Sequence, residues 1–126
     1  MNIMNLIGKP FKYGGRGPAE YDCWGLCIEV CKRVGIVLPD INTPDSATLR
    51  KVAFLTAKDE LFKPLERPKP FCLVVFEIRP NIWHAGVVLE DCWRFIHIAR
   101  KRMVVIERID NVQWQRKFKG YYEYAG

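Results

Sequence analysis

Asp22-Cys23-Trp24-Gly25-Leu26-Cys27-Ile28-Glu29-Val30-Cys31-Lys32-Arg33-Val34-Gly35 reads as one amphipathic helix with both ends marked. Asp22 is a good N-cap, because its carboxylate can accept from the orphan N–H groups of the first turn. Apolar side chains then recur at Trp24, Leu26, Cys27, Val30, Cys31 and Val34, which is helical spacing. Gly35 supplies the stop. Upstream, residues 9–21 hold Pro10, Gly14, Gly15, Gly17 and Pro18 and read as a loop. Residues 1–8 read as a short helix ended by Gly8 and Pro10. Downstream, Leu38-Pro39-Asp40 opens another loop, residues 47–55 read as a helix capped by Asp45 or Ser46, and residues 58–62 are half-helical.

The character changes after Pro70. Residues 71–78 form a continuous apolar run rich in β-branched side chains. Residues 82–89, 93–98 and 103–109 follow at short spacing with turn-like breaks, and residues 118–124 are expected to add an edge strand. Helices first and strands second predict an α+β domain, with N-terminal helices packed on one face of a C-terminal antiparallel sheet.

The chain has 126 residues, of which 49% are hydrophobic and 13% aromatic. That is enough for one domain with a buried core, spanning residues 1–126, and it excludes a disordered chain. No repeat and no dividing linker is visible. The net charge of +6 favours an acidic partner: nucleic acid, an anionic membrane or the carboxylate-rich bacterial wall. No nucleic-acid recognition motif accompanies the charge, and Arg100-Lys101-Arg102 reads as a solvated basic edge. No apolar run approaches the ~20 residues of a membrane span. Residues 1–9 lack the pattern of a secretion signal, so the expectation is synthesis in the cytoplasm. Five cysteines without such a signal are expected as reduced thiols.

A cysteine is a nucleophile only as thiolate, and a helix N-terminus favours the thiolate through its N–H groups and dipole. Cys23, one residue after the cap, has that environment. The chain holds two histidines, His84 and His97, in consecutive predicted strands. A two-residue turn at Glu90-Asp91 would pair Leu89 with Cys92 and set His84 directly opposite His97 on the same face. One imidazole then serves as base and the other fixes its tautomer. Cys27, Cys31 and Cys72 read as core. Three cysteines at four-residue spacing along a helix are poor zinc ligands, so no metal and no cofactor is expected.

These residues fall in four motifs: Gly8-Lys9-Pro10-Phe11-Lys12-Tyr13-Gly14-Gly15, then Asp22-Cys23-Trp24-Gly25-Leu26, then Trp83-His84-Ala85-Gly86-Val87-Val88-Leu89, then Phe95-Ile96-His97. In order and spacing they resemble the NlpC family of papain-like cell-wall peptidases over residues 5–110. The resemblance implies the papain-like fold, with Cys23 attacking an amide, His84 as general base and His97 holding it. It implies an aromatic hydroxyl, from Tyr13 or Tyr21, near the oxyanion. It also implies a peptidoglycan stem-peptide substrate, typically cut between D-glutamate and the diamino acid. Asp22 is a candidate contact for a charged end of that peptide. Trp24 stands where the family has serine, so a large ring is expected at the substrate pocket. Phe71-Cys72 replaces the usual Gly-Asp. The Asp-Cys-Trp-Gly form and the short length are similar to members from bacteriophage tails. That points to tail proteins as partners and to the virion tail, acting at the cell wall, as location. The alternatives are a muramoyl-alanine amidase and a catalytically weak structural tail-tip subunit.

Overall fold

In the structure, a computed structural model, residues 3–41, 59–80, 82–98 and 102–126 are described. A 3-10 turn at Met4–Leu6 opens the chain where a short helix was expected. Helix α1 runs Cys23–Lys32 with Asp22 as its N-cap, the Asp22 side chain accepting from the Gly25 N–H. It stops as its sequence predicts. Gly35 takes φ +85°, and the N–H groups of Gly35 and Ile36 return to the carbonyls of Lys32 and Cys31. The expected helix over 47–55 lies outside the described residues. Residues 59–61 are helical and lead directly into a strand.

Six strands follow: β1 (Phe62–Leu65), β2 (Leu73–Arg79), β3 (Ile82–Val88), β4 (Arg94–His97), β5 (Val105–Arg108) and β6 (Phe118–Tyr124). One turn of helix, α2 (Val112–Gln115), precedes β6. The sheet order is β1-β6-β2-β3-β4-β5, every neighbour antiparallel. β6 is therefore not the edge strand expected. It inserts between β1 and β2, and β1 takes the edge. Phe62-Lys63-Pro64-Leu65 carries a weak strand signal because it is short and contains a proline, and an edge is where a residue without an N–H is tolerated.

The β3–β4 register also differs from expectation. Val87 pairs with Ile96 and Val88 with Phe95, so His97 stands opposite Gly86 and not opposite His84. The connection has four residues, 90–93, because the Asp91 carboxylate accepts from the N–H groups of Trp93 and Arg94 and Cys92 takes φ +60°. This local turn displaces the tight two-residue one. The displacement of two residues keeps both histidines on one face.

Both faces of the sheet are covered. On one, Leu26, Cys27, Val30 and Cys31 of α1 pack with Leu73, Ala85, Val87, Ile96 and Ile98. Full burial of each large aliphatic side chain contributes roughly 1.5–3 kcal/mol, which is what holds α1 to the strands. On the other, Trp114 of α2 packs with Val74, Phe76, Val88 and Phe95. Trp24 is buried in the first of these cores. Its ring meets Phe62 edge-on and its Nε1 donates to the Pro39 carbonyl at 3.0 Å. The ring expected at the substrate pocket is instead an anchor that ties residue 39 and β1 to α1. An indole is large enough to span that gap, whereas the serine of the family pattern is not.

Gly25 has a specific reason to be glycine. A Cβ there would collide with the Gly15 carbonyl oxygen and lie 3.2 Å from Asp22 Oδ1. Gly25→Ala should therefore destabilise the protein by about 1–3 kcal/mol, although alanine gains about 1 kcal/mol of helix propensity. Urea unfolding of the two proteins checks this, and equal or greater stability in the variant contradicts it.

Candidate active site

The loop of residues 10–22 is fastened at both ends. Pro10 bridges to Met103, and the Phe11 N–H donates to the Arg102 carbonyl. Lys12 and Tyr21 exchange backbone bonds across the loop with Tyr21 and Pro10. At the helix end, Asp22 is buried and both its oxygens accept. Oδ1 takes the Gly25 N–H at 2.6 Å and Arg16 Nη1 at 2.8 Å, and Oδ2 takes the Gly14 N–H at 3.2 Å. Arg16 also reaches Asp40 and the Ile41 carbonyl. The Asp22 carboxylate is thus engaged by the protein's own donors, as a fastener between loop and helix.

Cys23 occupies the first position of α1 and is half-buried. The first N–H groups of a helix have no partner within it, so the head of α1 offers donors to an anion. Tyr13 lies in the fastened loop with its ring edge-on to Phe11 at 5.1 Å. Its neighbour Gly14 is the residue bound to Asp22, so the loop is pinned close beside the head of the helix. Tyr21 is 2% exposed and packs in the core, with its hydroxyl end over Gly17. Of the two tyrosines, only Tyr13 keeps partial access to solvent.

Three of the other four thiols are quenched by depth. Burial pushes Cys31 up to about 12 and Cys72 up to about 11, and it raises Cys27 strongly. A thiol so shifted is inert at neutral pH. Among the described residues no group of three metal-ligating side chains converges.

His84 and His97 are both buried, at 3% and 2% exposure. His84 Nε2 and His97 Nδ1 are 2.8 Å apart. They stand on diagonal positions of neighbouring strands, and what lets them meet is Gly86. A Cβ at Gly86 would lie 2.9 Å from Phe95 Cδ2 and 3.0 Å from His97 Cβ. The absent side chain is the space through which His97 reaches His84. Phe95 stacks on His97 at 4.5 Å, and the Trp114 indole covers both rings, parallel to His84 and edge-on to His97. These rings exclude water from the pair. Glu107 on β5 closes the row, its Oε2 2.5 Å from His97 Nε2.

Burial lowers His84 well below 6.5, with the neighbouring His97 adding to the shift. Burial, and secondarily Arg102, lowers His97 to about 4. The Glu107 carboxylate pulls His97 the other way. Burial prevails, because the Glu107 side chain is 38% exposed and its charge is partly screened. Both imidazoles are then neutral at neutral pH, as a base and its orienter need to be.

The structure thus brings His84 and His97 together. It sets Cys23 at the head of a helix packed on Ala85 and Val87, the residues of β3 that alternate with His84 and Gly86. Glu107 and Trp114 escaped the sequence reading. The parity of β5, which pairs Phe95 with Glu107, was the available signal for Glu107, but it depends on a register that the sequence leaves open.

Comparison with known proteins bears on the family and the fold. The model of the NlpC/P60 family matches residues 8–123. The "probable endopeptidase p60" of Listeria seeligeri is 31% identical over 81 residues, which is 64% of this chain and 13% of that protein. Its Listeria innocua counterpart is 26% identical over 115 residues, 91% of this chain and 22% of that protein. The chain therefore spans less than a quarter of the length of these curated relatives. A Staphylococcus aureus protein similar to a lipoprotein of the NLP/P60 family superposes with TM-score 0.63 at 22% identity, over 94% of this chain and 37% of that one. The NlpC/p60 domain of the peptidoglycan hydrolase SagA superposes with TM-score 0.55 at 21% identity, over 94% and 88%. These two likenesses bear on the fold.

Two outcomes follow from the buried pair. Below pH 6.5 the unfolded chain takes up protons that the folded imidazoles refuse, so stability should fall as pH drops from 6.5 toward 4. At 1.36 kcal/mol per pH unit, His97 alone contributes about 3 kcal/mol of that loss. Melting curves across this range check it, and His97→Asn should flatten the slope. Gly86→Ala should cost about 1–3 kcal/mol and separate the two rings. Nitrogen NMR of the imidazoles would expose an unchanged pair and so contradict the argument.

Proposed function

The chain belongs to the NlpC/P60 family, and from that premise we propose that it is a cysteine peptidase that hydrolyses an amide bond in peptidoglycan stem peptides. The observation that carries the reading is the buried contact of 2.8 Å between His84 and His97. A neutral, oriented imidazole held away from water has few structural uses, and it is what a thiol nucleophile needs. The names of the relatives, endopeptidase and peptidoglycan hydrolase, support the substrate class. The positive charge of the chain suits an anionic wall.

In this mechanism His84 takes the Cys23 proton and the thiolate attacks the carbonyl carbon of the stem-peptide amide. The N–H groups at the head of α1 stabilise the oxyanion, with the Tyr13 hydroxyl as a further donor. The proton on His84 passes to the departing amine as the C–N bond breaks. Water then hydrolyses the thioester, with His84 again as base. His97 holds the His84 ring throughout. The bond between D-glutamate and the diamino acid, and work at the wall from a phage tail, belong to the same proposal. The bond rests on the resemblance of the four motifs to the family, and the tail on the Asp22-Cys23-Trp24-Gly25 form of the nucleophile motif.

A second reading, a structural subunit with little or no activity, is motivated by Trp24, which stands where the family pattern has serine and is buried as a packing anchor. Alkylation separates the two. An activated Cys23 reacts well below pH 8.5, the ordinary thiol value, while Cys27, Cys31 and Cys72 stay protected in the folded protein. If Cys23 titrates like a free thiol, the structural reading stands.

Digestion of purified peptidoglycan, read by mass spectrometry, tests the activity itself. The expected product carries a new amino terminus on the diamino acid. A new terminus on alanine would mean a muramoyl-alanine amidase. Cys23→Ala should lower the rate by about 10³-fold or more, and equal activity in that variant excludes the mechanism. Because burial holds His84 below 6.5, activity should persist below that pH.

A further inference from the structure

The hydrogen-bonded row does not end at His97, and its far end determines what its near end can do. Two neutral imidazoles joined by one hydrogen bond can share its proton in two ways. If His84 Nε2 carries it, His84 Nδ1 has a lone pair and can accept a proton. If His97 Nδ1 carries it, His84 Nε2 becomes the acceptor and the remaining proton of His84 sits on Nδ1. In that second arrangement His84 cannot act as a base at Nδ1. Nothing in the pair itself chooses between them.

Glu107 makes the choice. An ionised carboxylate accepts and does not donate. Its Oε2 lies 2.5 Å from His97 Nε2, so that nitrogen must carry the proton. His97 is neutral and then has its lone pair on Nδ1. The 2.8 Å contact must therefore be donated by His84 Nε2, which leaves His84 Nδ1 unprotonated. We infer that Glu107 is a positioning residue, which fixes the proton on each imidazole through His97 and so presents His84 Nδ1 as the basic atom.

The fold suits the role. Glu107 pairs with Phe95, whose ring stacks on His97, so the carboxylate is held on the imidazole face of the sheet. β5 ends the sheet, and an edge position leaves the carboxylate partly hydrated. The other charges that bear on the pair are cationic: Lys117, following α2, acts on His84, and Arg102, preceding β5, acts on His97. Glu107 is the anion that offsets them when His84 takes up a proton and becomes imidazolium. No proton needs to leave the row in that step.

This inference rests on His84 as the general base of the proposed hydrolysis, and its test has a readout that needs no turnover. Nitrogen NMR of histidine-labelled protein at neutral pH should show His84 protonated on Nε2 and bare on Nδ1. In Glu107→Ala the His84 signals should move toward a mixture of the two tautomers. Peptidoglycan turnover should fall by about 10²-fold or more in kcat with KM little changed, since Glu107 meets no substrate. Glu107→Gln keeps the side-chain length, so it reports even where the alanine variant does not fold. Its amide oxygen can still accept from His97. It should therefore keep the tautomer, lose less kcat, and shift the acidic limb of the pH profile downward, because the imidazolium has lost its carboxylate.

An unchanged His84 tautomer and rate in Glu107→Ala overturns the inference. So does a Glu107→Gln profile identical to that of the unmodified protein. If the unmodified protein cuts no peptidoglycan yet shows the expected tautomer, which the alanine variant loses, the hydrolase reading fails and the role of Glu107 in the row remains.

Discussion

The buried carboxylate of Asp22 is where loop, helix and site are joined. It accepts from the first turn of α1, from the Gly14 N–H and from Arg16. Three donors from two segments converge on one small anion, so neither segment can shift without leaving a buried charge short of partners. Breaking such an arrangement costs roughly 3–5 kcal/mol, more than an N-cap alone. Close approach is equally required. Gly25 lets the Gly15 carbonyl press on the helix where any side chain would intervene. The Asp-Cys-x-Gly pattern is therefore a packing constraint before it is a chemical one. Its aspartate and glycine bring the loop to the helix, and its cysteine occupies the position so framed.

The histidine pair depends on a second exclusion of volume. Two imidazoles are expensive to remove from water, and here they satisfy each other and Glu107 beneath Phe95 and Trp114. The diagonal placement matters. Direct opposition would bring the rings side by side with their nitrogens poorly aligned. A two-residue offset, with glycine in the gap, lets one nitrogen of each ring meet end to end. The same burial that destabilises the charged imidazoles keeps them neutral at the pH where a base is useful. Stability at low pH and basicity at neutral pH are thus opposed consequences of one environment.

Much of this was legible in the sequence because it is written in local signals. Asp22 and Gly35 bound α1 through capping chemistry that acts within a few residues. The runs of alternating or continuous apolar residues mark β2 to β6. What was not legible depends on contacts between distant segments. The placement of β6 inside the sheet requires β1, whose Pro64 conceals a strand. The β3–β4 register turns on the Asp91 side chain, which captures two N–H groups and lengthens the connection. The expectation that the histidines share a face survives because a displacement of two preserves parity. Trp24 was expected at the pocket because its position follows the nucleophile. On a helix, however, adjacent residues point about 100° apart, and its ring turns inward to Pro39 and Phe62.

The choice among the three thiols of α1 follows from the same helix. Cys23, Cys27 and Cys31 recur every four residues, so they lie along nearly one line on α1. Composition treats them alike, but depth does not. Cys27 and Cys31 face the core between α1 and the sheet, each 1% exposed, whereas Cys23 is half-buried. Cys27 and Cys31 lie where a thiolate has no water and no partner charge, and their acidity falls accordingly. Cys23 is half-buried, at the end where the helix dipole and the first N–H groups favour an anion. A single helix therefore seals two of its cysteines in the core and leaves the third half-buried at its N-terminus. No further discriminating residue is needed. Of the cysteines on α1, Cys23 is the one left half-buried at the helix head, and that follows from the course of α1 through the fold.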